Sequence, residues 1–245
     1  MLEKLRPICT PSRREASLNV AYMLAFVLIQ GLILPVVLGA TTMVVRALGG
    51  GLVVLPAEGF GLLLGAFVYI VVMDFGEYIF HRAQHAIPAL WAMHSLHHSD
   101  PALNVSTAVR HFWLEQAIKS VTIYLLISLI FLPSPIIIGI YAAAAYYNYF
   151  SHMNLRVGFG RFVFLNSPQN HRIHHSTRPE HQGKNFAALF PIIDVIGGTY
   201  HRPHADEYPA TGLNDGDRPI SLTEAILWPA RGLLPRRRLL STLAR

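Results

Sequence analysis

The chain has 245 residues, enough for one full domain. Only 14% of them are charged, against roughly a quarter in ordinary soluble domains, and the mean hydropathy is +0.38; a freely soluble protein is excluded. The formal charge of +6 comes from Lys4, Arg6, Arg13 and Arg14, from segments between apolar runs, and from Arg231, Arg236, Arg237, Arg238 and Arg245. This lacks the basic stripe interleaved with aromatics of a nucleic-acid groove, so nucleic acid is excluded as a partner. The single cysteine, Cys9, rules out an intrachain disulfide or a multi-thiolate metal site, and is expected to be a bystander in the N-terminal tail.

Residues 16–45 carry no charge and exceed the ~20 needed to cross a bilayer. Arg13-Arg14 resembles a twin-arginine signal start, but the run is longer than the ~7–15 residues of a signal core, so a retained first span is expected. The Gly-rich stretch 47–58, with its proline, reads as a connection. A second span is predicted over 59–80, followed by a His-rich segment over 81–112. Pro133-Ser-Pro135 interrupts the next apolar block, because proline stops a helix at the residue before it. A helical hairpin over 113–152 is therefore expected, then a polar His-rich cap over 153–205 and a C-terminal tail over 206–245. The whole reads as a single all-α membrane domain of about four transmembrane helices. If the basic N-terminus is cytoplasmic, the parity of four crossings puts every histidine in a cytoplasmic cap. The localisation is then a bacterial inner membrane or the endoplasmic reticulum.

Eight of the thirteen histidines fall in three motifs: His81-x-x-x-His85, His94-x-x-His97-His98 and His171-x-x-His174-His175. Spacings of three and four place side chains on one helix face, about 5–6 Å apart at Cβ, so each motif aims its imidazoles one way. Asp74 and Tyr78 share the face of His81 and His85. Metal-bound imidazoles commonly donate their other N–H to a carboxylate, which makes Asp74 and Glu77 candidates; the alternative is that these acids cap the membrane end of the helix. Eight imidazoles exceed what one ion uses, since a catalytic zinc takes three protein ligands, so two adjacent ions are expected. Imidazole does not itself choose among Zn, Cu, Fe and Ni. The adjacent His pairs do not suit axial haem ligation.

The order continues with Leu90-Trp91 before His94, Ser151-His152-Met153-Asn154, Pro168 before His171, Pro179-Glu180-His181, Lys184-Asn185-Phe186, and Asp194 with Gly198-Thr199. Across about residues 60–205 this resembles the fatty acid hydroxylase / sterol desaturase superfamily, the membrane histidine-rich di-iron oxygenases. The resemblance implies His81, His85, His94, His97, His98, His152, His171, His174 and His175 as ligands of two iron ions, with zinc able to occupy the site in a purified form. It implies hydroxylation or desaturation of a lipid C–H bond, sterol or fatty acyl, by O2. It also implies electrons from an external donor of cytochrome b5 or ferredoxin type, since no CxxC or Rossmann glycine pattern is present. Asn148 stands where some members have another histidine; it is expected to hold a water or serve the helix, with weak ligation as the alternative. The chain departs from the family pattern at Arg110-His111 through Glu115, at Asn185-Phe186-Ala187 and at Ile193-Asp194, which bears on the substrate.

A membrane zinc hydrolase is the first rival, but it would want an HExxH glutamate, absent from all three motifs. A metal carrier or transporter is the second, and would want ligands at mid-membrane depth. Of the other histidines, His111 is expected to be interfacial, with support of a metal-bound ring as the alternative; His181 is expected to be an ordinary polar residue, with lining the entrance to the site as the alternative; and His201 and His204 are expected to be solvated. Tyr141, Tyr146, Tyr147 and Phe150 are expected to form an interfacial aromatic belt, or else to wall a lipid tunnel. Arg236–Arg238 would meet anionic headgroups.

Overall fold

The computed structural model describes residues 7–233; Lys4, Arg6 and the Arg236–Arg238 run lie outside the described residues. Helix α1 spans Arg13–Ala47, opened by a reciprocal cap in which Ser12 Oγ accepts from the Glu15 amide while Glu15 accepts from the Ser12 amide. Helix α2 spans Gly59–Ala86. Both are long and apolar enough to cross a membrane. Their outward faces display Leu28, Leu32, Val36, Phe60 and Phe67, each more than half exposed, a surface that suits lipid rather than water.

Helix α3 (Pro88–His98) starts where α2 stops: Ile87 is extended, and Pro88 at the first helical position restarts the turn. Helix α4 (Glu115–Lys119), a π-helical turn (Ser120–Tyr124) and α5 (Leu125–Ile130) run on without a break. After Pro133, α6 (Pro135–Ala145) and α7 (Tyr147–Ser151) return. Helical segments thus occupy 115–130 and 135–151, on either side of Pro133. Each arm rises only about 24–26 Å at 1.5 Å per residue, somewhat short of the ~30 Å hydrocarbon core. The segment 153–205 holds α8 (Pro168–His174) and α9 (Ile192–Ile196), and the stretch expected to be a tail, from 206 on, holds α10 (Leu222–Ile226).

Two short strands fix the ends of the molecule. β1 (Val53–Val54), in the α1–α2 connection, pairs in parallel with β2 (Phe131–Leu132) at the hairpin tip. That pairing ties both connections together at one end and leaves the histidine segments at the other. Packing of α2 on the hairpin is close: a Cβ at Gly76 would sit 2.5 Å from Ile123 Cγ2. Leu55, Tyr69, Met73, Ile127 and Ile137 form the core there.

The histidine-bearing segments are joined to α1 and α2 by apolar clusters, Tyr22 with Leu96, Phe112 and Trp228, and Tyr78 with Phe186 and Ile193, and by polar bonds. In α1, Asn19 donates to Asp100 at 2.9 Å, and Asp100 also pairs with Arg110 at 3.4 Å. Cys9 is not a bystander in a loose tail: its backbone and that of Ile8 are clasped by Asn154, and its thiol lies 3.8 Å from Arg172. The aromatic set divides. Tyr146 is exposed, whereas Tyr147 donates to the Asn166 carbonyl at 2.7 Å and Tyr141 packs edge-on against Tyr69.

Candidate metal centre

The last two turns of α2 present His81 and His85. Helix α3 presents His94, His97 and His98, the end of α7 His152, and α8 the remaining three. Helix α8 is positioned by Ser167, whose hydroxyl accepts from the Asn170 amide, and by Pro168 in its first turn. All nine imidazoles converge in two neighbouring groups. His81, His85, His94, His98 and His174 form one; His97, His152, His171 and His175 form the other; within each group the candidate ligand atoms lie within 4.8 Å of one another.

In the five-membered group, His98 Nε2 lies 3.1 Å from Nε2 of both His85 and His174. In the four-membered group, His152 Nε2 lies 3.2 Å from His97 Nε2 and 2.8 Å from His171 Nε2, and His175 Nε2 lies 3.1 Å from His171 Nε2. Metal–nitrogen bonds near 2.1 Å give nitrogen–nitrogen edges of about 3.0 Å in an octahedron and about 3.4 Å in a tetrahedron. The spacings match such edges.

Outward hydrogen bonds set the ring tautomers. Nδ1 of His81 meets the Phe186 carbonyl at 2.8 Å, that of His152 the Asn148 carbonyl at 2.7 Å, and that of His174 the Lys184 carbonyl at 2.8 Å. Carbonyls only accept, so each of these Nδ1 atoms carries the proton and each Nε2 is a bare lone pair. Nε2 of His81 and of His94 is buried with no hydrogen-bond partner. Inward-facing lone pairs at these distances repel unless a cation lies between them. Three Nε2 atoms freed in this way, within nine imidazoles spaced like ligand edges, make a donor set that fits transition-metal ions.

Burial is the largest cause lowering His97, His98, His171, His174 and His175 well below the ordinary imidazole value of 6.5, and neighbouring rings add to it. His94 is lowered too, with Glu115 opposing the shift. Neutral imidazole is the form that binds a metal.

The fatty acid hydroxylase family model matches residues 66–199, more than half of the chain and all nine of these histidines. The chain belongs to the fatty acid hydroxylase family. Among its curated relatives, alkylglycerol monooxygenase of Danio rerio is 35% identical over 136 residues, 55% of this chain and 30% of that protein. The Caenorhabditis elegans enzyme of the same name is 31% identical over 141 residues, 57% of this chain and 28% of the relative. Ornithine lipid hydroxylase OlsE of Rhizobium tropici is 30% identical over 135 residues, 55% and 41% of the two chains. The chain thus spans less than half the length of these relatives. No solved structure matches it.

In this family member the expected carboxylate partners are placed differently. Asp74 accepts the backbone amides of Ala188, Leu189 and Phe190 at 3.2, 3.0 and 2.8 Å rather than an imidazole N–H. Glu77 pairs with Lys119 at 2.7 Å and accepts from Tyr124 at 2.8 Å. Both were expected from helix spacing to meet His81 or His85, but a loop and a neighbouring helix compete for them. Glu115 takes that role instead. It is buried and meets Nδ1 of His94 and of His111 at 3.1 Å each, the Phe112 amide at 2.9 Å, and Gln84. Its signal was the altered Arg110–Glu115 stretch, which marked a family position without revealing its partner.

His111 is drawn inward, stacking on His97 with centroids 4.1 Å apart. His181 does not line the entrance; it is fully buried and pairs with Glu207, as does His201, while His204 is exposed as expected. A cavity of about 300 Å³ opens onto both imidazole groups, bounded by His81 and His94 of one and His97, His152 and His171 of the other. Its far wall is Phe26, Tyr124, Tyr141 and Leu189, and Asn148 and the Glu77–Lys119 pair also face it.

Proposed function

We propose that the chain is an O2-dependent lipid hydroxylase whose nine imidazoles hold two iron ions, five on one and four on the other. The observation that carries this reading is the convergence of nine imidazoles in two adjacent groups, with candidate ligand atoms within 4.8 Å of one another in each, beneath one cavity. A pair of irons supplies O2 reduction and the removal of hydrogen from an unactivated C–H bond. The chain's own groups do the rest. The carbonyls of Phe186, Lys184 and Asn148 hold protons at Nδ1, so the inward nitrogens stay free to ligate. Phe26, Tyr141 and Leu189 exclude water and receive the lipid chain. Electrons come from a separate donor of cytochrome b5 or ferredoxin type, docking on the basic cap.

Hydroxylation is favoured over desaturation because the relatives are named a monooxygenase and a hydroxylase. Their names also point to amphiphiles with a polar head, an alkylglycerol or an ornithine lipid, rather than a sterol. The Glu77–Lys119 pair on the cavity wall suits such a head or a hydroxyl near it. In the membrane, the hairpin completes four crossings and the imidazoles lie on the cytoplasmic side. The pairing of β1 with β2 at the opposite end supports that topology.

The test is lipid mass spectrometry of membranes from cells expressing the wild type or His174→Ala, with air or without it. A lipid heavier by one oxygen, labelled from isotopic O2 and present only with the wild type in air, is expected. Loss of two hydrogens instead would assign desaturation. Zinc-loaded protein that cleaves lipid without O2 would overturn the reading in favour of a hydrolase.

A further inference from the structure

A second cluster of donor atoms lies in the cap, apart from both imidazole groups. His181 closes the short 3-10 turn Pro179–His181, while His201 and Glu207 belong to a loop without regular structure. His181 Nε2 lies 3.0 Å from Glu207 Oε1, and His201 Nε2 lies 3.3 Å from Glu207 Oε2. The two rings meet edge-on with centroids 4.5 Å apart. None of the three residues belongs to either imidazole group. Among the described residues, the other groups on this carboxylate are the His204 amide at 3.0 Å and Arg178, 3.6 Å away on a half-exposed side chain.

The geometry points to a third, mononuclear cation site at His181, His201 and Glu207 that takes one divalent transition ion of the zinc class. Two imidazoles and a carboxylate are the three-ligand set that zinc accepts with a fourth position left to water. Nitrogen–oxygen edges of 3.0 and 3.3 Å lie in the range that ~2.1 Å bonds require. His181 is fully buried and turns Nε2, the nitrogen that would ligate, to Glu207, while among the described residues its Nδ1 bonds to nothing that would hold the ring elsewhere. His201 and Glu207 are partly accessible, which leaves the ion a route in and a water its place.

An ion there joins the 179–181 turn to the 201–207 loop. That loop leans on α8: Gln169 donates to the carbonyls of His204 at 2.8 Å and of Ala205 and Glu207 at 3.2 Å each. Asn185, which accepts from the His201 amide at 2.8 Å, donates to the Asn170 carbonyl of α8 at 3.3 Å. The site therefore clamps the helix that presents His171, His174 and His175. It stands independently of the lipid hydroxylase reading.

The test is a count of zinc. Purified full-length protein is stripped with chelator, reloaded with Zn2+, freed of excess, and its bound zinc measured for the wild type, Glu207→Gln and His201→Ala. Each variant is expected to hold one equivalent fewer than the wild type, whatever number the nine imidazoles retain. His174→Ala is expected to keep this equivalent while changing the count at the main site. The same count in wild type and variants would overturn the proposal. Should Glu207→Gln fail to fold, His201→Ala, at a partly exposed ring, carries the same measurement. The reloaded wild type is also expected to melt at a higher temperature than either variant, and equal melting with equal zinc content is the refuting pair.

Discussion

Replacing Glu115 with glutamine is the sharpest probe of how the five-imidazole group is organised. The carboxylate meets His94 Nδ1, His111 Nδ1 and Gln84 through Oε2 and the Phe112 amide through Oε1. Glutamine keeps one oxygen and turns the other into a donor. If the amide nitrogen faces His94, that ring must accept at Nδ1 and place its proton on Nε2, where it blocks the inward lone pair. If the amide turns over, the buried Phe112 N–H loses its acceptor instead, at a cost of about 1–3 kcal/mol.

Loss of an outer partner of a ligating histidine weakens metal binding by roughly 10- to 100-fold, or about 1.4–2.8 kcal/mol at 1.4 kcal/mol per tenfold. The effect should be selective. None of His97, His152, His171 and His175 bonds to Glu115, so the ion held by those four should stay. The assay is metal retention under increasing chelator, read as equivalents per chain, with a melting curve to confirm folding. One equivalent is expected to leave early and the other to follow the wild-type curve. A folded Glu115→Gln protein that retains both equivalents like the wild type would refute the reasoning.

Asp74→Ala leaves the amides of residues 188–190 without their acceptor; at about 1–3 kcal/mol per buried orphan the thermal midpoint should fall clearly, and an unchanged midpoint would show that the clasp is dispensable. His152→Ala should remove a metal equivalent while His111→Ala should not, because His111 stacks on His97 without joining either group; metal analysis of the two variants checks this. Lowered imidazole values also make the metal-free chain pH-sensitive. The unfolded chain takes up these protons near 6.5, so stability is present above that pH and lost as the pH falls through the lower folded values. Melting of chelator-treated protein should hold level from about pH 8 to about pH 7 and then drop steadily towards about pH 5, and a profile flat throughout would count against neutral, buried rings.

The spacing of three and four within each motif made the ligand candidates legible, because on a helix that spacing already fixes a common face. Long uncharged runs made α1 and α2 legible for the same kind of reason. Partners brought by the tertiary fold were not. Asp74 shares a face with His81, yet the amides of 188–190, over a hundred residues away, outcompete the imidazole for it. Glu115 lies on a separate helix from His94, with no periodic relation to it. His201 looked solvated because it follows a loop pattern, and only the fold brings Glu207 and His181 beside it. Nor could the sequence divide the nine imidazoles, since the division depends on how α3 and α8 face each other.

That division follows one rule used twice. In α3, His94 and His98, four apart, go to the five-membered group and His97 crosses to the other. In α8, His171 and His175 go to the four-membered group and His174 crosses back. Each helix thus supplies two rings to one group and one to its neighbour, so neither group can assemble without both helices, and His98 and His175 stack where they meet, 4.2 Å apart. Helix α2 completes the first group with another pair four apart, His81 and His85. The matching place beside the second group is α7, where His152 is present but the residue four earlier is Asn148. The second proposed ion is therefore one imidazole short, and the shortfall faces the cavity, which Asn148 lines beside His97, His152 and His171. Asn148→His should supply the missing ring. The expected result is slower loss of that ion to chelator together with slower product formation, because the added donor fills the position that the cavity leaves open. Unchanged retention with unchanged turnover would mean that Asn148 does not occupy a ligand position, and that the asymmetry between the two groups has another origin.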